Sequence, residues 1–241
     1  MVEESGKKII FYDSGSCPHA QRTWLALSEL GLPYETRKVD LSNKPKEFID
    51  LYHEVYPDPA APAKVPIIID TDGFKLVESN ITVQYLDEKY GSESTRLLPA
   101  DPAERAKVLL FTEIFSTKVL PSMWALLRAS APDKLAEAQA AMTAGLEVLD
   151  AFLRVHGSDA GGAYFLGGRY SFAELSTSPF VRRMLVVLPH YRGYDAMAVA
   201  GVRKLTRLKA WLEASLARPS LKHTTPSDEV VIQSFKKFVA V

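Results

Sequence analysis

Cys17 is the only cysteine in a chain of 241 residues. It stands in "FYDSGSCPHAQRTWLAL" (11–27), directly before a proline that opens an apolar-periodic run. A thiol at a helix start meets backbone N–H groups without intrahelical partners and the positive end of the helix dipole, so the thiolate is favoured over the thiol. Pro18 suits the first helical position and puts Cys17 at or just before it. The plainer alternative is a small buried hydrophobe, the usual fate of a lone cysteine. Its place between a strand end and a helix start argues instead for a nucleophile.

One cysteine can form no intramolecular disulfide, and the residue three further on is Ala20, so no Cys-x-x-Cys pair exists. A resolving thiol must come from outside the chain. In a reducing compartment the natural external thiol is glutathione, which predicts a glutathione-binding groove beside Cys17. Such a groove needs donors for two carboxylates, an acceptor for an ammonium, and a strand edge for the cysteinyl backbone. "ESNITVQYLDEKYG" (78–91) puts Glu78 at a strand end and Ser79 at a helix N-cap, a carboxylate for the ammonium beside a hydroxyl and N–H groups for a carboxylate. "KVP" (64–66) resembles the cis-proline loop of thioredoxin-like folds, with Val65 as backbone partner and Pro66 as the cis residue. Read singly, Ser79 is a plain cap and Val65-Pro66 a trans strand start.

The elements that must hold these residues follow from periodicity. Strands are expected over 7–12, 34–41, 65–70 and 74–78, and helices over 18–30, 44–54 and 79–90, with an Asp72-Gly73 turn. Trp24, Leu27 and Leu30 fall on one face of the first helix. The order βαβαββα in an α/β N-terminal domain resembles the thioredoxin fold, with strands one and two parallel and the hairpin as an antiparallel edge. Residues 91–103 carry no period, which divides the chain into domain 1–92, linker 93–103 and an all-α domain 104–241. Helical periods there run over 104–129, 134–156, 172–188 and 202–217, with an amphipathic tail at 226–241.

Bulk properties narrow the function. Lysine plus arginine and aspartate plus glutamate number 29 each, so no global basic field exists to hold nucleic acid. The polar start "MVEESGKK" and the lack of a long apolar run argue against a signal peptide or a stable membrane span, and with the reduced cysteine they predict a cytoplasmic protein. The five histidines are scattered without ligand spacing, so no metal is expected.

"SCPHAQR", "LSNKPKEF", "KVP", "ESNITVQYLDEKYG" and "LLPADPAERAK" together resemble omega-class, cysteine-type glutathione transferases over about residues 7–225. The resemblance implies a glutathione transferase fold and a homodimer. It makes Cys17 the nucleophile, gives Glu78 and Ser79 the γ-glutamyl end, Val65 the cysteinyl backbone, and Lys44 the glycine carboxylate. His19 stands where such proteins commonly have phenylalanine; its backbone can still serve glutathione, and its imidazole is a new feature. Ser178 replaces a frequent aromatic residue, which points to a reshaped second-substrate pocket.

The implied activity is glutathione-dependent thiol transfer, including deglutathionylation and dehydroascorbate reduction, on small electrophilic or disulfide substrates. Three rivals are defined. In a conjugating transferase, Tyr12, Ser14 or Ser16 would activate glutathione. A non-catalytic protein of the chloride-intracellular-channel type is disfavoured by Arg22, Glu29 and Glu35 after Cys17, which break any apolar run. A ligand carrier would use a pocket walled by Met123, Trp124 and Phe180, a cluster that at helical spacing is more often core.

Overall fold

The computed structural model describes residues 7–239. The chain divides into two compact units, up to Arg96 and from Leu97 onward. The first holds β1 (Ile9–Asp13), α1 (Pro18–Glu29), β2 (Tyr34–Lys38), α2 (Lys46–Val55), β3 (Ile67–Ile69), β4 (Lys75–Val77) and α3 (Ser79–Tyr90). The sheet order is β2-β1-β3-β4, with β1 parallel to β2 and antiparallel to β3, and β3 antiparallel to β4.

Period-two patterning makes β1 a strand: Ile9, Phe11 and Asp13 are buried and alternate with half-buried Ile10 and Tyr12. Leu25, Ala26, Val83 and Leu86 are fully buried on α1 and α3. Each large apolar side chain so placed contributes about 1.5–3 kcal/mol. The two helices meet through a buried hydroxyl pair, Thr23 Oγ1 to Thr82 Oγ1 at 2.6 Å. Trp24, which shares a face with Leu27 and Leu30, is only half-buried, and its Nε1 donates to Tyr34 Oη at 2.5 Å.

The β3–β4 hairpin is pinned from beneath. Gly73 takes φ +89° at the turn, where a side chain is strained. Asp70, 4% exposed, accepts from Tyr85 Oη at 2.5 Å, Tyr90 Oη at 2.6 Å and Lys89 Nζ at 2.7 Å. Burial raises its pKa, but the bonds from Lys89, Tyr85, Tyr90 and the Thr71 N–H outweigh it and lower the value to about 2.

The second unit is helical: α4 (Pro102–Ile114), a π-helical turn (Phe115–Val119), α5 (Leu120–Arg128), α6 (Pro132–His156), α7 (Phe172–Arg192), α8 (Ala196–Val202), α9 (Thr206–Ala217), α10 (Pro219–Thr224) and α11 (Asp228–Phe235), then a 3₁₀ turn to Phe238. The single helix expected over 104–129 is interrupted at its middle. Pro121 has no N–H for the carbonyl four residues back, and the chain widens so that the Leu120 N–H reaches Phe115 O. α8 is an element that the pattern missed. The expected tail helix is present as α11, while residues 240–241 lie outside the described ones.

A capping box of Ser171 and Glu174 opens α7. Fully buried Glu174 also accepts from the Phe165 N–H at 2.6 Å and Trp211 Nε1 at 2.8 Å. Burial dominates these bonds and raises its pKa.

Candidate active site

Cys17 is the N-cap of α1, half-buried, with extended backbone angles (φ −74°, ψ 119°) and Pro18 in the first turn. Its carbonyl accepts the Gln21 N–H at 3.1 Å, so the helix begins directly on the cysteine. The sulfur therefore sits where the helix dipole is positive.

The segment leading to it is fixed by Asp13 at the end of β1. Asp13, 2% exposed, accepts the Gly15 N–H at 2.9 Å and Lys38 Nζ at 2.5 Å. Gly15 takes φ +81°, a conformation open to glycine.

One cavity of about 260 Å³ gathers the residues singled out from the sequence: Cys17, His19, Lys44, Val65, Pro66, Glu78 and Ser79. The Val65-Pro66 peptide bond is cis. Leu41, Tyr52, Ala63 and Lys64 complete the lining. With Lys44, Lys64 gives the lining a second cation. Burial, then the charge of Glu78, raises the Tyr52 pKa, so Tyr52 is a neutral wall beside that carboxylate.

Glu78 departs from its expected place at a strand end. It is itself the N-cap of α3, and Ser79, expected as the cap, is the first helical residue. Glu78 has φ +69° and ψ 109°, a backbone conformation costing a non-glycine residue roughly 1–3 kcal/mol. Such strain persists where surrounding structure enforces it, and here it belongs to a carboxylate on the cavity wall.

Sequence reasoning gave Arg22 no role in the site. It is 5% exposed, and its Nη1 lies 3.3 Å from Ser79 Oγ and 3.4 Å from His19 Nδ1. Burial lowers its pKa to about 10, opposed by the charge of Cys17, so it is cationic at neutral pH and its field favours the Cys17 thiolate. The available signal was its spacing: three residues after His19, it lies on the same helix face.

Tyr12, Ser14 and Ser16 are not among the cavity-lining residues. The Tyr12 hydroxyl accepts from Arg37 Nη1 at 3.2 Å, and Ser14 Oγ is buried. In the helical unit Met123 and Phe180 are buried, and the Trp124 ring stacks on Phe235 at 5.4 Å with Phe238 edge-on at 5.1 Å. Among the described residues, no cluster of three or more His, Cys, Asp or Glu could hold a metal, and no helix is long and apolar enough to cross a membrane.

Two family models match the chain: Glutathione S-transferase, N-terminal domain, over residues 16–89, and Glutathione S-transferase, C-terminal domain, over residues 115–224. Among curated proteins, the chain is 28% identical to the probable glutathione S-transferase DHAR1, cytosolic, of Oryza sativa subsp. japonica, over 90% of this chain and 88% of that one. Among solved structures, glutathione transferase Omega 3C of Trametes versicolor matches with a TM-score of 0.81 and 27% identity, covering 98% of this chain and 91% of that one. The dehydroascorbate reductase of Chlamydomonas reinhardtii matches with a TM-score of 0.74 and 25% identity, covering 98% and 100%.

Proposed function

The chain belongs to the glutathione S-transferase family and is a glutathione-dependent enzyme, and from that premise we propose that it is a thiol transferase whose nucleophile is Cys17. The observation that carries this reading is a single cavity joining the N-cap cysteine of α1 to the N-terminus of α3 and the cis-proline loop.

In this reading the Glu78 carboxylate receives the γ-glutamyl ammonium. Ser79 Oγ and the first N–H groups of α3 receive the γ-glutamyl carboxylate. The Val65 backbone pairs with the cysteinyl residue beside Pro66, the His19 backbone contacts the peptide, and Lys44 takes the glycine carboxylate. The Cys17 thiolate attacks the glutathionyl sulfur of a mixed disulfide; a new S–S bond forms and the target thiolate leaves with the electron pair. A second glutathione thiolate then attacks the glutathionyl sulfur, and Cys17 departs as a thiolate stabilised by the helix N-terminus and Arg22.

The name of the Chlamydomonas reinhardtii relative supports dehydroascorbate reduction as an activity, and thiol transfer rests on the place of Cys17 in the cavity. The rice relative's name places that protein in the cytosol, and we assign the same compartment here. A homodimer is the assembly the family resemblance implies. A second-substrate pocket walled by Met123, Trp124 and Phe180 is not favoured by their burial and aromatic stacking.

The test is Cys17→Ser, assayed for glutathione transfer from a small mixed disulfide and for conjugation to an aromatic electrophile. The reading predicts loss of transfer by at least about a thousandfold. Intact transfer with lost conjugation would contradict it.

A further inference from the structure

His19 lines the same cavity as Cys17 and is exposed there, while the guanidinium behind it is buried. Arg22 is protonated at neutral pH and has only N–H donors, so His19 Nδ1 at 3.4 Å from Arg22 Nη1 must act as the acceptor. The ring proton then sits on Nε2. Protonating Nδ1 would set two donors and two positive charges against each other, which favours the neutral imidazole. Arg22 itself cannot swing away cheaply, because it is buried and also holds Ser79 Oγ at 3.3 Å. The other titratable groups on this cavity are Cys17, Lys44, Tyr52, Lys64 and Glu78.

We infer that His19, fixed by Arg22 as a neutral Nε2–H donor, is a specificity-determining residue that selects carbonyl electrophiles, of the vicinal polycarbonyl class, alongside disulfides. This rests on Cys17 as the nucleophile. A neutral imidazole donor polarises a carbonyl without giving up its proton. The Cys17 thiolate adds to a carbonyl carbon; the C–S bond forms, and the C=O π pair moves to the oxygen. Nε2–H donates a hydrogen bond to that oxyanion. A glutathione thiolate then attacks the Cys17 sulfur, the S–S bond forms, and the C–S bond breaks with its pair left on carbon as an enediolate. The enediolate takes up the proton that glutathione released. The polycarbonyl is thereby reduced by two electrons, and two thiols become the Cys17–glutathione disulfide. A disulfide substrate develops no oxyanion and gains less from this donor.

The test compares kcat/KM for dehydroascorbate and for a small glutathione mixed disulfide in the wild type, His19→Phe and His19→Gln. Glutamine keeps a neutral acceptor for Arg22 and a neutral N–H donor. The ratio of the two rates should fall about tenfold in H19F and return to within about threefold of the wild type in H19Q. A ratio within about twofold of the wild type in H19F, or an equal drop in H19Q, overturns the inference. The disulfide arm reads the Cys17 chemistry separately: wild-type transfer there, with an unmoved ratio, sinks the role of His19 and leaves the nucleophile standing.

Discussion

Arg22 Nη1 donates to Ser79 Oγ across 3.3 Å, tying the second turn of α1 to the first residue of α3. Two helix N-termini therefore meet at a single cavity that contains a thiol, and one buried cation is bonded to His19 and Ser79 of its lining. Each of the three favours negative charge, which is what a thiolate and the carboxylates of glutathione bring.

Arg22→Met removes the cation while keeping much of the side-chain volume. Replacing a buried charge by an apolar group of similar length offsets much of the lost bonding, so the variant should fold. The thiolate loses its nearby positive charge. Alkylation of Cys17 by iodoacetamide, followed against pH, should shift its midpoint upward by about one unit, worth ~1.4 kcal/mol. An unmoved midpoint would show that the helix N-terminus alone sustains the thiolate.

Glu78→Gly separates strain from recognition. Glycine accepts φ +69° without a Cβ penalty, so unfolding free energy should rise by about 1 kcal/mol. The carboxylate is lost with it, and KM for glutathione should rise about tenfold or more. A variant more stable with unchanged KM would remove Glu78 from the γ-glutamyl site.

Asp70→Asn tests the hairpin anchor. Asp70 has a folded pKa lowered to about 2, beneath the unfolded value near ~4. Its contribution is therefore complete above about pH 4 and is lost as pH falls through about 2. Urea titrations at pH 7 should show the variant destabilised by about 2 kcal/mol, with the gap closing toward pH 2. A gap that does not change with pH would assign the loss to packing.

The junction residues were legible because their chemistry is local. A cysteine before proline at a strand end, and a serine opening an apolar-periodic run, need only short-range geometry to be read. Glu78 as the true N-cap was not legible, because positive φ in a glutamate is imposed by tertiary structure against its local preference. Arg22 was hidden for a related reason: an arginine in an amphipathic helix reads as solvated, and only the packing of α1 against α3 buries it. The π-helical turn at Phe115–Val119 was concealed by an unbroken apolar period, although Pro121 marked the place. α8 was missed because seven residues, Ala196–Val202, are too few to establish a period, even with Asp195 capping two N–H groups.

The central claim is that Cys17 carries glutathione during turnover. The most direct measurement is intact-protein and peptide mass spectrometry of the wild type after incubation with oxidised glutathione. One glutathione adduct per chain is expected, on the peptide containing Cys17, and removed by adding reduced glutathione. A protein that stays unmodified while turning over a disulfide substrate would contradict the account.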